Sequence, residues 1–86
     1  MRSYKYEYAL CRENNPDVFK KACDTISSTI MSLKASNLLE DVDGTTIKIY
    51  EDVEGRRIVV YDDYNIGAVY VLSDLEIREK LRKLIV

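Results

Sequence analysis

Between residues 2 and 11 the chain alternates strictly, with Tyr4, Tyr6, Tyr8 and Leu10 on one side and Lys5, Glu7 and Ala9 on the other. A two-residue period over this length predicts a half-buried strand. At Asn14-Asn15-Pro16-Asp17 the period changes. Asn15 offers a side-chain oxygen to free amides, Pro16 lacks the amide that a first helical residue leaves unused, and Asp17 suits the helix dipole. Phe19, Ala22, Cys23, Ile26, Ile30 and Leu33 then recur at three- and four-residue spacing, which predicts a helix to about Lys34 or Asn37.

Leu38 to Val42 reads either as a short extra strand or as a connection, because Asp43-Gly44 supplies the positive-φ positions of a hairpin. Thr45 to Glu51 alternates as a strand, with Ile47 and Ile49 expected inward and Lys48 and Tyr50 outward. After a turn at Glu54-Gly55, Arg57 to Asp62 forms the next strand, Ile58 and Val60 facing away from Arg57, Val59 and Tyr61. Asp62 to Gly67 turns again, and Ala68 to Leu72 closes the meander with Val69 and Val71 opposite Tyr70. A last helix is signalled by Ser73 and Glu76 at capping-box spacing and Leu72 and Ile77 at staple spacing. Ile77, Leu81, Leu84 and Ile85 form its apolar stripe, and Asp74–Arg78, Glu76–Lys80 and Glu79–Lys83 are acid-before-base pairs. The expected fold is α+β in the order βαβββα. It has a four-stranded, mainly antiparallel sheet with two helices packed on one face, as one domain over residues 1–86.

An apolar fraction of 47% with three Gly and one Pro in 86 residues excludes a disordered chain. A domain of this length buries only about 60–65% of its unfolded surface, which argues against a deep private cleft. The longest apolar runs, 58–61 and 68–72, fall far short of a membrane span. The N-terminus, Met1-Arg2-Ser3-Tyr4-Lys5-Tyr6-Glu7, has no apolar core of a secretory signal. Cys11 and Cys23 fall on elements whose faces do not bring them together, so reduced thiols and a cytoplasmic setting are expected.

Histidine and tryptophan are absent. Asp41-Val42-Asp43-Gly44-Thr45 spells the Asp-x-Asp-Gly-Thr string of haloacid-dehalogenase-type phosphatases. The buried strand and large scaffold that this chemistry needs are missing around it, so it reads as a turn. As a calcium loop the same stretch puts Leu39 and Tyr50 where acidic ligands are required. Cys23 has no histidine to draw its proton and reads as a core residue. The expectation is a protein with no catalytic residues, no metal site and no cofactor.

Seven tyrosines remain distinctive. The alternation places Tyr50, Tyr61 and Tyr70 with Arg57, Val59 and Lys48 on an open sheet face. Net charge runs +2 over residues 1–39, −7 over 40–76 and +3 over 77–86. The acids gather in turns: Glu40, Asp41 and Asp43; Glu51, Asp52 and Glu54; Asp62 and Asp63. Aromatics with Arg suit either a protein interface or stacked nucleic-acid bases, and the acidic turns disfavour a phosphate backbone. The reading is a small inhibitor or regulator, similar in size and charge to compact bacterial or phage inhibitors. It docks Tyr50, Tyr61, Tyr70, Arg57, Glu51, Asp52, Glu54, Asp62 and Asp63 on a protein with a basic surface. The alternative is an RNA- or DNA-binding regulator using the same tyrosines and the basic residues Arg78, Lys80, Arg82 and Lys83. A second surface is the uncharged outer side of the first helix, Ser28, Met31, Ser32 and Ala35 beside Thr25, suited to a partner helix or a second copy.

Overall fold

Central strands that are apolar on both faces organise the chain. In the computed structural model, which describes residues 3–85, the elements run in this order: β1 (Tyr6–Cys11), α1 (Pro16–Thr29), β2 (Lys34–Ala35), β3 (Leu39–Glu40), β4 (Thr46–Glu51), β5 (Arg57–Asp63), β6 (Ala68–Ser73) and α2 (Arg78–Leu81). The alternation predicts one strand over residues 2–11, but the strand begins at Tyr6. Tyr4 reaches Arg57 on the face opposite Tyr6 and Tyr8, while Arg2 lies outside the described residues. The fold is α+β, and its antiparallel sheet has the order β1-β6-β5-β4-β2, with β3 also paired to β4.

Among the described residues the sheet therefore has six strands, not four, and the element order departs from βαβββα. The two extra strands are two-residue pieces that share the outer edge of β4, Lys34–Ala35 against Tyr50–Glu51 and Leu39–Glu40 against Thr46–Ile47. They come from chain that the helical spacing assigns partly to the first helix. That helix stops at Thr29 instead. Its last turn is rich in hydroxyls that compete for backbone groups, Ser28 Oγ and Thr29 Oγ1 both donating to the Thr25 carbonyl (3.3 and 2.6 Å). Ile30 then turns extended, and Ser32 reverses the chain with a left-handed φ of 65°. Ile30 and Leu33 still pack against the core, from extended chain.

The start of α1 follows the sequence closely. Asn15 caps it, accepting from the amides of Asp17 and Val18 (3.1 Å each). Asn14 ties this end to the sheet, its Nδ2 donating to Asp62 Oδ1 (2.9 Å) and to the Asp63 carbonyl (3.0 Å). The helix buries Phe19, Ala22 and Ile26 against Ile58 and Val60 of β5 and Val69 and Val71 of β6. Tyr8, Leu10, Tyr50, Ile77 and Leu81 complete this cluster, so α1 and α2 serve one face of the sheet.

The last helix is much shorter than its signals. Ser73 is buried and spends its hydroxyl on Leu75, accepting from the amide (2.9 Å) and donating to the carbonyl (2.7 Å). Glu76 instead accepts from the Arg78 amide (3.0 Å), and the capping box gives way to a local turn. The apolar stripe nevertheless lands as read, with Ile77 and Leu81 buried and Leu84 and Ile85 packed beside them.

Register decides which face each strand residue takes. The turn from Asp52 to Arg56 closes with Asp52 N–H on the Arg56 carbonyl and Gly55 N–H on the Asp52 carbonyl (3.0 and 3.1 Å), Gly55 taking a φ of 82°. Glu51 thereby faces Arg57, Tyr50 faces Ile58 and Lys48 faces Val60. Tyr50 thus points under the helices, while Ile47 and Ile49 share the outer face with Tyr61 and Val59. This inverts the expected parity of β4. A tyrosine ring buries more apolar area than an isoleucine side chain, and here its hydroxyl is satisfied as well.

Candidate partner-binding face

On the side of the sheet away from α1 and α2, cross-strand pairing lays the residues out in rows. One row reads Leu39, Ile47, Tyr61, Tyr70, Ala9 across β3, β4, β5, β6 and β1. The next reads Ile49, Val59, Leu72 and ends at Glu7 of β1. Eight apolar side chains are therefore contiguous, with Val59 buried among its neighbours, and among the described residues no helix covers them. Tyr61 and Tyr70 stack with centroids 4.9 Å apart and rings 16° from parallel. Tyr4 joins this face, its side chain hydrogen-bonded to Arg57 and close to Tyr61.

Charge rims the apolar band. Arg57 Nε donates to Glu51 Oε2 (2.8 Å), and that hydrogen bond, then the charge of Glu51, pushes the guanidinium pKa up. Beyond it, Lys34 lies opposite Glu51, while Asp74 Oδ2 accepts from the Arg57 amide (2.9 Å). At the other end, the Tyr70 hydroxyl donates to Asp63 Oδ2 (2.6 Å). That bond holds the Asp63 carboxyl below the usual carboxylate range, helped by the Asn65 and Ile66 amides. Burial first, and then Asp63, pushes the Tyr70 phenol up.

The residues expected to form one surface are thus sorted. Tyr61, Tyr70, Arg57 and Glu51 share the open face, with Asp63 at its border. Tyr50 does not belong to it: only 1% exposed, it accepts from Ser27 Oγ (3.2 Å) and donates to the Cys23 carbonyl (3.1 Å). Lys48 shares that inner face. Asp62, read as a turn residue, is buried and receives Asn14. Asp52 and Glu54 sit on the β4–β5 turn, where Arg56 pairs with both (2.8 and 3.2 Å). Desolvation works against it, but hydrogen bonds from Arg56 and the Glu54 amide hold the Asp52 carboxyl below its ordinary range. The acidic turns are thus partly neutralised from within.

The supposed helix stripe also dissolves. Ser28 is on α1, Met31 and Ser32 are in the turn after it, and Ala35 lies in β2 opposite Tyr50. Missed in the sequence were Ile47, Ile49, Leu72, Leu39 and Lys34. Pairing Glu51 with Arg57 across the Gly55 turn would have placed the first two, since that register matches odd positions with odd. The helical side contrasts with this band. Its shallow groove between α1 and α2 mixes Lys21, Asp24, Glu79, Lys80, Arg82 and Lys83, a solvated pattern.

Asp41 and Asp43 serve their own turn, accepting from the Val42 and Thr45 amides (2.8 and 2.9 Å). Cys11 and Cys23 are both free thiols, and burial pushes the Cys23 thiol pKa up, against nucleophilic use. No helix among the described residues is long and apolar enough to cross a membrane. The chain matches no family model, no curated protein and no solved structure.

Tyr50 makes a pH prediction. Burial, the leading cause, pushes its phenol from 10.0 up to about 12. A proton held more tightly in the fold stabilises it fully below the unfolded pKa, and that share is lost as pH rises from 10 towards about 12. Unfolding followed by circular dichroism should therefore set in within this window, in step with phenolate absorbance. Tyr50→Phe should move the alkaline midpoint upward while costing about 1 kcal/mol near neutrality through the lost hydrogen bonds.

Proposed function

We propose that this chain is a small non-catalytic protein-binding module, a cytoplasmic regulator or inhibitor, which docks through the open face of its sheet. The observation that carries the reading is the helix-free band in which Leu39, Ile47, Ile49, Tyr61, Tyr70, Leu72 and Ala9 surround the buried Val59. A sheet stabilises itself by burying a face, and large contiguous apolar patches on small domains mark contact sites. Two tyrosines and an arginine at the band's centre and edge fit the composition of protein interfaces. Apolar contact rather than bulk acidity selects the partner, because Asp62 is buried and Arg56 already pairs with Asp52 and Glu54. Base stacking is the weaker reading. Tyr61 and Tyr70 stack on each other, and Asp63 and Glu7 border them.

The test is capture from a lysate of the source cells after nuclease treatment, with the wild type and Ile49→Lys side by side. A stoichiometric protein held by the wild type and lost with Ile49→Lys is the expected result. A partner held equally by both, or one lost only with Lys21→Glu on the helical side, would overturn the assignment of this face.

A further inference from the structure

The rim of the open face carries a pattern that its apolar band does not. Crossing from β6 to β2, the charged row reads Asp74, Arg57, Glu51, Lys34, so the signs alternate. Such a row is antisymmetric about its midpoint, which falls between β4 and β5. A two-fold axis laid along the strands at that midpoint turns every charge onto its opposite. Arg57 meets Glu51 of a second copy, and Asp74 meets Lys34, each contact occurring twice.

The same axis suits the tyrosine row. Tyr61 falls on Ile47 of the other copy and Tyr70 on Leu39. One operation thus matches both the charged row and the tyrosine row. From this self-complementarity we infer that the open face binds a second copy of this chain, as an isologous face-to-face dimer. Two twisted sheets stacked this way cross at about −30° and sit about 10 Å apart. Strand spacing and rise give a face of the order of 500 Å² per copy. The pair then buries about 1,000 Å², the lower bound for a specific interface, so a dimer that dissociates on dilution is expected. The inference rests on the reading of this face as a docking surface and names its occupant. The turn bearing Asp52 and Glu54 stays at the sheet end, displayed twice.

Sedimentation equilibrium of the full chain across a wide concentration range tests it. The wild type should associate to a dimer. Arg57→Glu should weaken the dimer by about a hundredfold, since two like-charge contacts arise by symmetry and each costs about tenfold or more. Combining Arg57→Glu with Glu51→Arg should restore it, with melting curves confirming the fold throughout. Lys34→Glu, at the exposed edge, should weaken it about tenfold and serves if Arg57→Glu fails to fold. A dimer indifferent to Ile49→Lys, Arg57→Glu and Lys34→Glu, or one that the double reversal does not rescue, would overturn this geometry. A wild type that stays monomeric throughout would overturn the second-copy inference alone. The capture experiment with Ile49→Lys judges the docking reading separately.

Discussion

Tyr50→Ala is expected to lower stability by about 3–5 kcal/mol, as removing a fully buried aromatic ring does. In a domain of this size that is a large part of the roughly 5–15 kcal/mol available, so the midpoint of chemical denaturation should fall steeply. The ring is packed beneath α1, among Ile58, Ile26 and Phe19 of one buried cluster. Its loss also removes the phenol's hydrogen bonds with the Ser27 hydroxyl and the Cys23 carbonyl. Ile49→Lys, one residue earlier, should be tolerated within about 1 kcal/mol, because the ammonium can stay in water on the open face. The contrast tests the register directly. If Ile49→Lys unfolded the domain while Tyr50→Ala did not, the faces of β4 would be reversed.

Leu81→Ala ranks next, at about 2–5 kcal/mol. α2 spans only Arg78–Leu81, too short to hold by its own hydrogen bonds. Its place is secured by Ile77 and Leu81, both buried, and by the Ile77 amide donating to the Tyr8 hydroxyl (3.0 Å). Arg78 also lies 5.5 Å from the centre of the Tyr8 ring. Truncating Leu81 leaves a void between α1 and the sheet that Leu84 cannot fill from the rim. Urea unfolding should therefore show a lower midpoint, with amide exchange in residues 77–85 accelerated most. Exchange left as slow as in the wild type would mean that α2 is held by other contacts.

Much of this fold is legible because local and long-range preferences agree. The Asn15 cap with Pro16, the alternation of β1, and the meander from Thr46 to Ser73 each rest on residues whose local chemistry admits one reading. Where they diverge, spacing alone misplaces an element's end. Ile30 and Leu33 keep helical spacing and do reach the core, yet the hydroxyl-rich turn at Thr25–Thr29 ends the helix before them. Ser73 and Glu76 have the spacing of a capping box, but Ser73 is fully buried at the end of β6 and bonds to Leu75 instead.

The site was harder, for a physical reason. Strands buried on both faces lose the alternation that tells inside from outside. On β5, Ile58, Val59 and Val60 are all buried, so composition alone does not reveal which face lies under the helices. Tyr61 and Tyr70 lie on the face that the alternation predicts, because their neighbours Val60 and Val71 take the inner one. On β4 the larger residue, Tyr50, went inward against the hydropathy ranking. Only the Gly55 turn, which fixes Glu51 opposite Arg57, carries that information.

The central claim, that the face bearing Ile49 rather than the helical face meets a protein partner, is best tested by site-specific photo-crosslinking. A photoreactive residue is placed at Ile49 in one variant and at Lys21, beside α2, in another. Both are irradiated in nuclease-treated lysate and as purified protein. Crosslinks to a protein, a second copy or a target, from position 49 and not from position 21 are the predicted result. Crosslinks confined to position 21 would contradict the account.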